Sequence, residues 1–256
     1  MPSSESFPGI DARAARRRFE RAARTYTGAS RLESEVAARM LERLDLVKLA
    51  PARVLDAGSG PGRDAKALHA RFPKAELIAL DLSLQMLRSG RKRFFERRKF
   101  VCADLGRLPL ATGSLDFIWS NMALHWAADV LQAIRELSRV SAPGGLLMFS
   151  TLGPDTLKEL RAAAGKRRVH QFVDMHDLGD MLVEAGFSAP VMDMELLTMT
   201  YPAAPTLLAD LRASGQTSAR PDRARGLAGK AFLEKLRRNL PDRATFEVVY
   251  GHAWKA

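Results

Sequence analysis

The chain of 256 residues predicts an α/β fold built on a mostly parallel sheet. Three observations point there. Short apolar runs alternate with helical stretches, with strand starts roughly 20–30 residues apart, the rhythm of βαβ units. One such run passes straight into a glycine turn, Val54-Leu55-Asp56-Ala57-Gly58-Ser59-Gly60-Pro61-Gly62, with Pro61 where a helix begins. Asp56, Asp81 and Asp104 close successive runs, at the edge of such a sheet where ligands bind.

The elements follow in order. Arginines crowd a helical pattern over residues 11–24, with Phe19 as its apolar anchor. A second amphipathic helix runs from about 32 to 46, with Val36, Met40 and Leu44 at four-residue spacing. Pro51 separates it from the first strand. Beyond the glycine turn, a helix over 64–71 ends before Phe72-Pro73, and a strand over 76–80 leads to Asp81. Ser83 caps a helix carrying Leu84, Met86 and Leu87, which becomes densely basic over 88–99. A strand over 100–103 holds Cys102, read as a core residue, and ends at Asp104. Gly113-Ser114 turns the chain into a strand over 115–120. A helix over 127–140 puts Val130, Ile134 and Leu137 on one face, and Pro143-Gly144-Gly145 stops it before a strand over 146–151.

From Gly153 the rhythm loosens. Helices are expected over 155–164 and 177–185, the second closed by Gly186, with a strand over 191–199. A helical insertion covers 204–240, and its Gly-, Pro- and Arg-containing stretch 214–229 reads as a mobile loop. The final strand, 245–254, is expected to pair antiparallel at the sheet edge. The chain thus divides into a helical lid (1–50), a ligand-binding domain (51–200 with 243–256) and a helical insertion (201–242).

Composition narrows the setting. At 46% hydrophobic the chain can bury a full core. No apolar run approaches the ~18–20 residues of a membrane span. Residues 1–10 lack a basic-then-apolar export pattern, and a single cysteine excludes an internal disulfide, so a cytoplasmic protein is expected. The formal charge of +11 calls for acidic company.

The glycine spacing selects the ligand. A dinucleotide fingerprint wants a third glycine where Arg63 stands, and the phosphate-cradling G-x-x-x-x-G-K-[ST] loop is absent. The pattern D-x-G-x-G-x-G resembles motif I of the class I S-adenosylmethionine-dependent methyltransferases. That resemblance implies a Rossmann-like, seven-stranded sheet with an antiparallel edge strand, helices on both faces and a helical lid. S-adenosyl-L-methionine would then lie against Gly58, Gly60 and Gly62. Asp81 would meet the ribose, Asp104 the adenine and Asp56 the amino acid end, with Leu82, Leu105 and Asn121 also among the cofactor-binding residues. No metal cluster, nucleophile or catalytic dyad stands out.

Longer stretches are more specific. Residues 19–26, Met122-Ala123-Leu124-His125-Trp126, the run Gly153-Pro154-Asp155-Thr156-Leu157-Lys158-Glu159-Leu160-Arg161, residues 172–177 and the ending 247–255 resemble the malonyl-acyl-carrier-protein O-methyltransferases of biotin synthesis. Ala57 and Ser59 depart from the usual L-D-L-G-C-G-x-G. The resemblance implies methylation of the free carboxylate of a malonyl thioester carried by an acidic acyl carrier protein or by coenzyme A. No general base would be needed, since a carboxylate is already ionised at neutral pH. Tyr26 would face the transferred methyl, His125 would contact substrate, and Arg161 would receive the carboxylate with its planar fork. A monomer binding neither nucleic acid nor membrane is expected. Another small carboxylic acid as acceptor, or an assembly factor on the same scaffold, remains an alternative.

Overall fold

The computed structural model describes residues 9–91, 98–223 and 229–256. Residues 92–97 of the basic run over 88–99 and residues 224–228 of the basic loop lie outside the described residues. Three helices come first: α1 (Ala12–Ala22), α2 (Tyr26–Ala29) and α3 (Arg31–Asp45). Then follow β1 (Arg53–Ala57), α4 (Ala65–Arg71), β2 (Glu76–Asp81), α5 (Leu84–Arg91), β3 (Arg98–Cys102) and β4 (Leu115–Ser120). The second half holds α6 (Val130–Val140), β5 (Ser141–Leu152), α7 (Lys158–Ala164), α8 (Met175–Glu184), β6 (Phe187–Thr200), α9 (Ala204–Ala213), α10 (Lys230–Asn239) and β7 (Arg243–Lys255).

The strands form one seven-stranded sheet in the order β3-β2-β1-β4-β5-β7-β6. The five strands β1 to β5 run parallel, and β7 runs antiparallel to both β5 and β6. The chain walks outward from β1 to β3, then returns to place β4 on the other side of β1. This reversal opens a crevice beyond the carboxyl ends of β1 and β4.

Period-two burial builds the two layers. Val54, Phe117, Leu146 and Met148 face one side, packed against Val36, Met40 and Leu44 of α3 and Leu68 of α4. Their neighbours Leu55, Ile118, Leu147 and Phe149 face the other, packed against Ile134 and Leu137 of α6 and Leu178 and Leu182 of α8. Asp11 caps α1 by accepting from the Ala14 N–H at 3.0 Å, and Ser83 caps α5 by accepting from Met86.

Several expectations need correction. The final strand is not at the edge: β7 is paired on both sides, and β6 is the outer strand. Its nearly continuous burial from Ala244 to Tyr250 is the mark of an inner strand, whereas β6 alternates with solvent. Pro143-Gly144-Gly145 lies inside β5, which begins immediately after Val140, with a shift of register against β4. Helix α6 starts at Val130, because Asp129 accepts from the Gln132 N–H and caps it there. Cys102 is exposed, since β3 has no neighbour on its outer side.

The basic loop is not loose over its described part. Ser214, Ala219 and Arg220 are buried. The Ala219 N–H donates to His170 Nε2 at 2.6 Å, and the Ala219 carbonyl accepts from Asp11 at 2.9 Å. These bonds tie residues 214–223 to α1 and to the connection before α8. Among the described residues no helix is long and apolar enough to cross a membrane.

Candidate active site

The glycine turn after β1 builds the floor. Gly58, Gly60 and Gly62 have φ of 81°, 54° and 76°, the left-handed region that glycine enters without steric cost. The turn docks on β2 through the Gly58 and Ser59 N–H groups, which donate to the Leu80 carbonyl at 2.8 and 2.9 Å. Helix α5 approaches it so closely that a Cβ on Gly90 would lie 2.1 Å from the Pro61 carbonyl oxygen. Asp81, ending β2, accepts from the Gly60 N–H at 2.8 Å and from the Ser83 N–H at 2.7 Å.

A crevice opens above this floor, with about 690 Å³ of space not filled by protein atoms. Of the residues expected at the site, Tyr26, Gly58, Gly60, Asp81, Leu82, Asp104, Leu105 and Asn121 line it together. Burial lifts the Asp81 carboxyl to about 6, against the pull of its two N–H donors. Asp104 accepts from Gly106 at 2.8 Å, fixed at the end of β3.

Four expected residues fall elsewhere. Asp56 is buried behind the turn, with Oδ2 lacking a hydrogen-bond partner. Burial, and next the charge of Asp64, push its carboxyl well above the usual range. Gly62 faces the Arg98 guanidinium, where a Cβ would stand 2.4 Å from Nη1. His125 lines two neighbouring cavities rather than the crevice. Arg161 lines none of these three cavities; its guanidinium donates to the Thr156 carbonyl at 3.0 Å.

The structure adds residues that sequence reasoning missed. Glu33, in the first turn of α3, is 3% exposed yet lines the crevice. Burial pushes its carboxyl up to about 7, and the Gln216 side-chain amide donates to it. Asp64 receives bonds from Trp119 Nε1 and Asn121 Nδ2, both at 3.0 Å. The same Asn121 amide reaches the Glu33 carbonyl at 3.0 Å, so α3, α4 and β4 are locked together beneath the lid. Tyr26 packs its ring against Gly60, and burial, reinforced by the Glu33 charge, holds its hydroxyl protonated.

Beyond one wall lies an apolar chamber, about 1060 Å³ on the same measure, which shares Trp126 and Gln216 with the crevice. The Trp126 ring stands edge-to-face between Phe19 at 4.9 Å and His170 at 4.8 Å. Leu157, Leu160 and Ala164 line the chamber from the α7 side. Burial lowers His125 to about 3 and His170 to about 4, so both imidazoles are neutral near pH 7. His170 Nε2 accepts from Ala219, which places its ring proton on Nδ1. The wall between the two spaces is therefore aromatic and uncharged.

The arrangement fits S-adenosylmethionine. Asp81 and Asp104 line the crevice at strand ends and could accept from ribose hydroxyls and an amino-purine edge, the glycine turn leaves bare backbone, and the acids suit a positively charged ligand. Comparisons with known proteins agree. Residues 55–149 match the family described as methyltransferase domain. The fold is similar to the YcgJ protein from Bacillus subtilis, with a TM-score of 0.63, 17% identity, and coverage of 84% of this chain and 97% of that one. A malonyl-acyl-carrier-protein O-methyltransferase of Methylovorus sp. (strain MP688) is 52% identical, covering 96% of this chain and 90% of its own length. One of Gallionella capsiferriformans (strain ES-2) is 49% identical, covering 96% and 91%. With such identity sustained from the lid to the final strand, this chain belongs to the malonyl-acyl-carrier-protein O-methyltransferase family.

Proposed function

We propose that this protein methylates the free carboxylate of a malonyl thioester carried by an acyl carrier protein. The observation that supports it most is the apolar chamber beside the crevice, with Trp126 and Gln216 lining both. A methyl acceptor entering from the chamber meets the crevice at that wall, with its thioester arm along Leu157, Leu160 and Phe246.

S-adenosylmethionine, when bound, supplies a methyl on a positively charged sulfur, so that the sulfur–methyl bond breaks as a carboxylate oxygen forms its new bond. The protein has no proton to remove, and its residues match that need. Tyr26 is held protonated, and burial leaves His125 with little affinity for a proton, so neither is set up as a base. Their work is to orient and to exclude water, together with Phe19 and Trp126. Arg168 and Arg212 line the chamber. Arg168 stacks on the Phe232 ring at 4.0 Å, and Arg212, four residues before Gln216 at the wall shared with the crevice, is the one we assign to the carboxylate.

The exposed cluster Lys166-Arg167-Arg168 beside the chamber, with the arginines of α1, fits an acidic carrier protein. Incubation with S-adenosylmethionine and either malonyl-acyl carrier protein or malonyl-coenzyme A tests the reading by mass spectrometry. One added methyl on the malonyl thioester is expected. A thioester left unmodified, while another carboxylic acid is methylated, overturns it.

A further inference from the structure

Three acids line the cofactor crevice, Glu33, Asp81 and Asp104. Asp81 and Asp104 close β2 and β3, the side of the crevice suited to the nucleoside. Glu33 stands with Tyr26 and Asn121 instead: Asn121 donates to its carbonyl at 3.0 Å, and Tyr26 packs on Gly60. This is the side where the chain that follows the ribose must lie. The Glu33 carboxylate is buried, and its hydrogen-bond partner is the neutral amide of Gln216. Arg63 acts on it only through its field. An acid taken from water without a cation in contact is poorly compensated until a positive group arrives.

We propose that Glu33 binds the α-ammonium group of S-adenosylmethionine. Asp56, the expected partner for the amino acid end, lies behind the glycine turn and does not line the crevice. Glu33 does, and its length from α3 carries the charge over the floor. Because Gln216 donates to the same carboxylate, the loop that separates crevice from chamber is anchored to the group that holds the cofactor. The inference rests on S-adenosylmethionine as the ligand of this crevice, and is independent of which acceptor is methylated.

Calorimetric titration of wild type and Glu33→Gln with S-adenosylhomocysteine, its desamino analogue and 5′-methylthioadenosine tests it. The amide keeps the shape of the side chain, and Glu33→Ala serves if it does not fold. Removing the amino group should cost wild type tenfold or more and Glu33→Gln little, a coupling that packing alone does not produce. Binding of 5′-methylthioadenosine, which has no amino acid end, should be the same in both. Equal affinity of both proteins for S-adenosylhomocysteine, or an equal loss for all three ligands, overturns the assignment. Wild type that binds neither S-adenosylhomocysteine nor 5′-methylthioadenosine overturns the cofactor reading, and this one with it.

Discussion

The Gly60 N–H donates to Asp81 Oδ2 at 2.8 Å, so the glycine turn and the acid ending β2 form one rigid unit. The same backbone that forms the crevice floor positions the acid. If Asp81 holds the ribose as proposed, Asp81→Ala removes one or two charge-assisted bonds, each about 1.5–3 kcal/mol. Calorimetry should show S-adenosylmethionine binding weakened tenfold or more. Unchanged affinity would remove Asp81 from the site.

Gly90 offers a test of close packing free of backbone strain, since it lies inside α5 and Ala is the better helix former. A methyl there meets the Pro61 carbonyl oxygen, which is main chain and cannot swing aside. Gly90→Ala should lower stability by roughly 1–3 kcal/mol and weaken cofactor binding by displacing the turn. A denaturation midpoint at or above wild type would contradict the contact.

Burial lifts Glu33 from 4.5 to about 7 and Asp81 from 3.8 to about 6. Between these values the folded protein holds protons that the unfolded chain has released. Both groups therefore leave the fold unpenalised in acid and erode its stability as pH rises, until the folded values are passed. For Glu33 the effect is on the order of 3 kcal/mol. Glu33→Gln should gain on wild type in melting temperature between pH 5 and 8. Parallel profiles for the two proteins would refute the burial of a titrating carboxyl.

Arg161 and Arg212 separate cleanly. Arg161→Ala loses the bond to Thr156, costing roughly 1 kcal/mol of stability, and should leave malonyl turnover close to normal. Arg212→Ala should depress turnover while S-adenosylmethionine affinity holds. Steady-state rates and calorimetry on both variants decide, and the reverse pattern would return the carboxylate to Arg161.

Charge steering has its own signature. With a carrier-protein substrate, kcat/KM should fall steeply from low to moderate salt, because exposed charges separated by about 10 Å or more are screened at 0.1 M. A small thioester analogue should respond less. Equal slopes would dismiss the basic surface as a docking face.

The parts of the site carried by backbone chemistry were legible in the sequence. The glycine turn, Asp81 and Asp104 announce themselves because strand ends and left-handed turns restrict residue type locally. Glu33 gave no such signal: an acid in the first turn of a helix is ordinary, favoured there by the helix dipole. Its burial depends on Gln216, 183 positions away. Residues 214–223 read as mobile from composition, yet Ala219 is pinned by His170 and Asp11, partners that only the fold brings near. The order of β6 and β7 was readable in principle, since the long apolar run of the final strand needs two neighbours. Arg161 was placed by reach along the chain, whereas the Thr156 carbonyl one turn earlier claims it.

Because β7 lies between β5 and β6, the last thirteen residues of the chain's sheet are the keystone of its far half. During synthesis β6 emerges before β7, and its ladder groups on that side stay open until β7 has been made. The first five strands can assemble as they are made, but the segment that carries Arg212 and Gln216 must wait in the connection between β6 and β7. The chamber side of the sheet is thus completed only once β7 is in place.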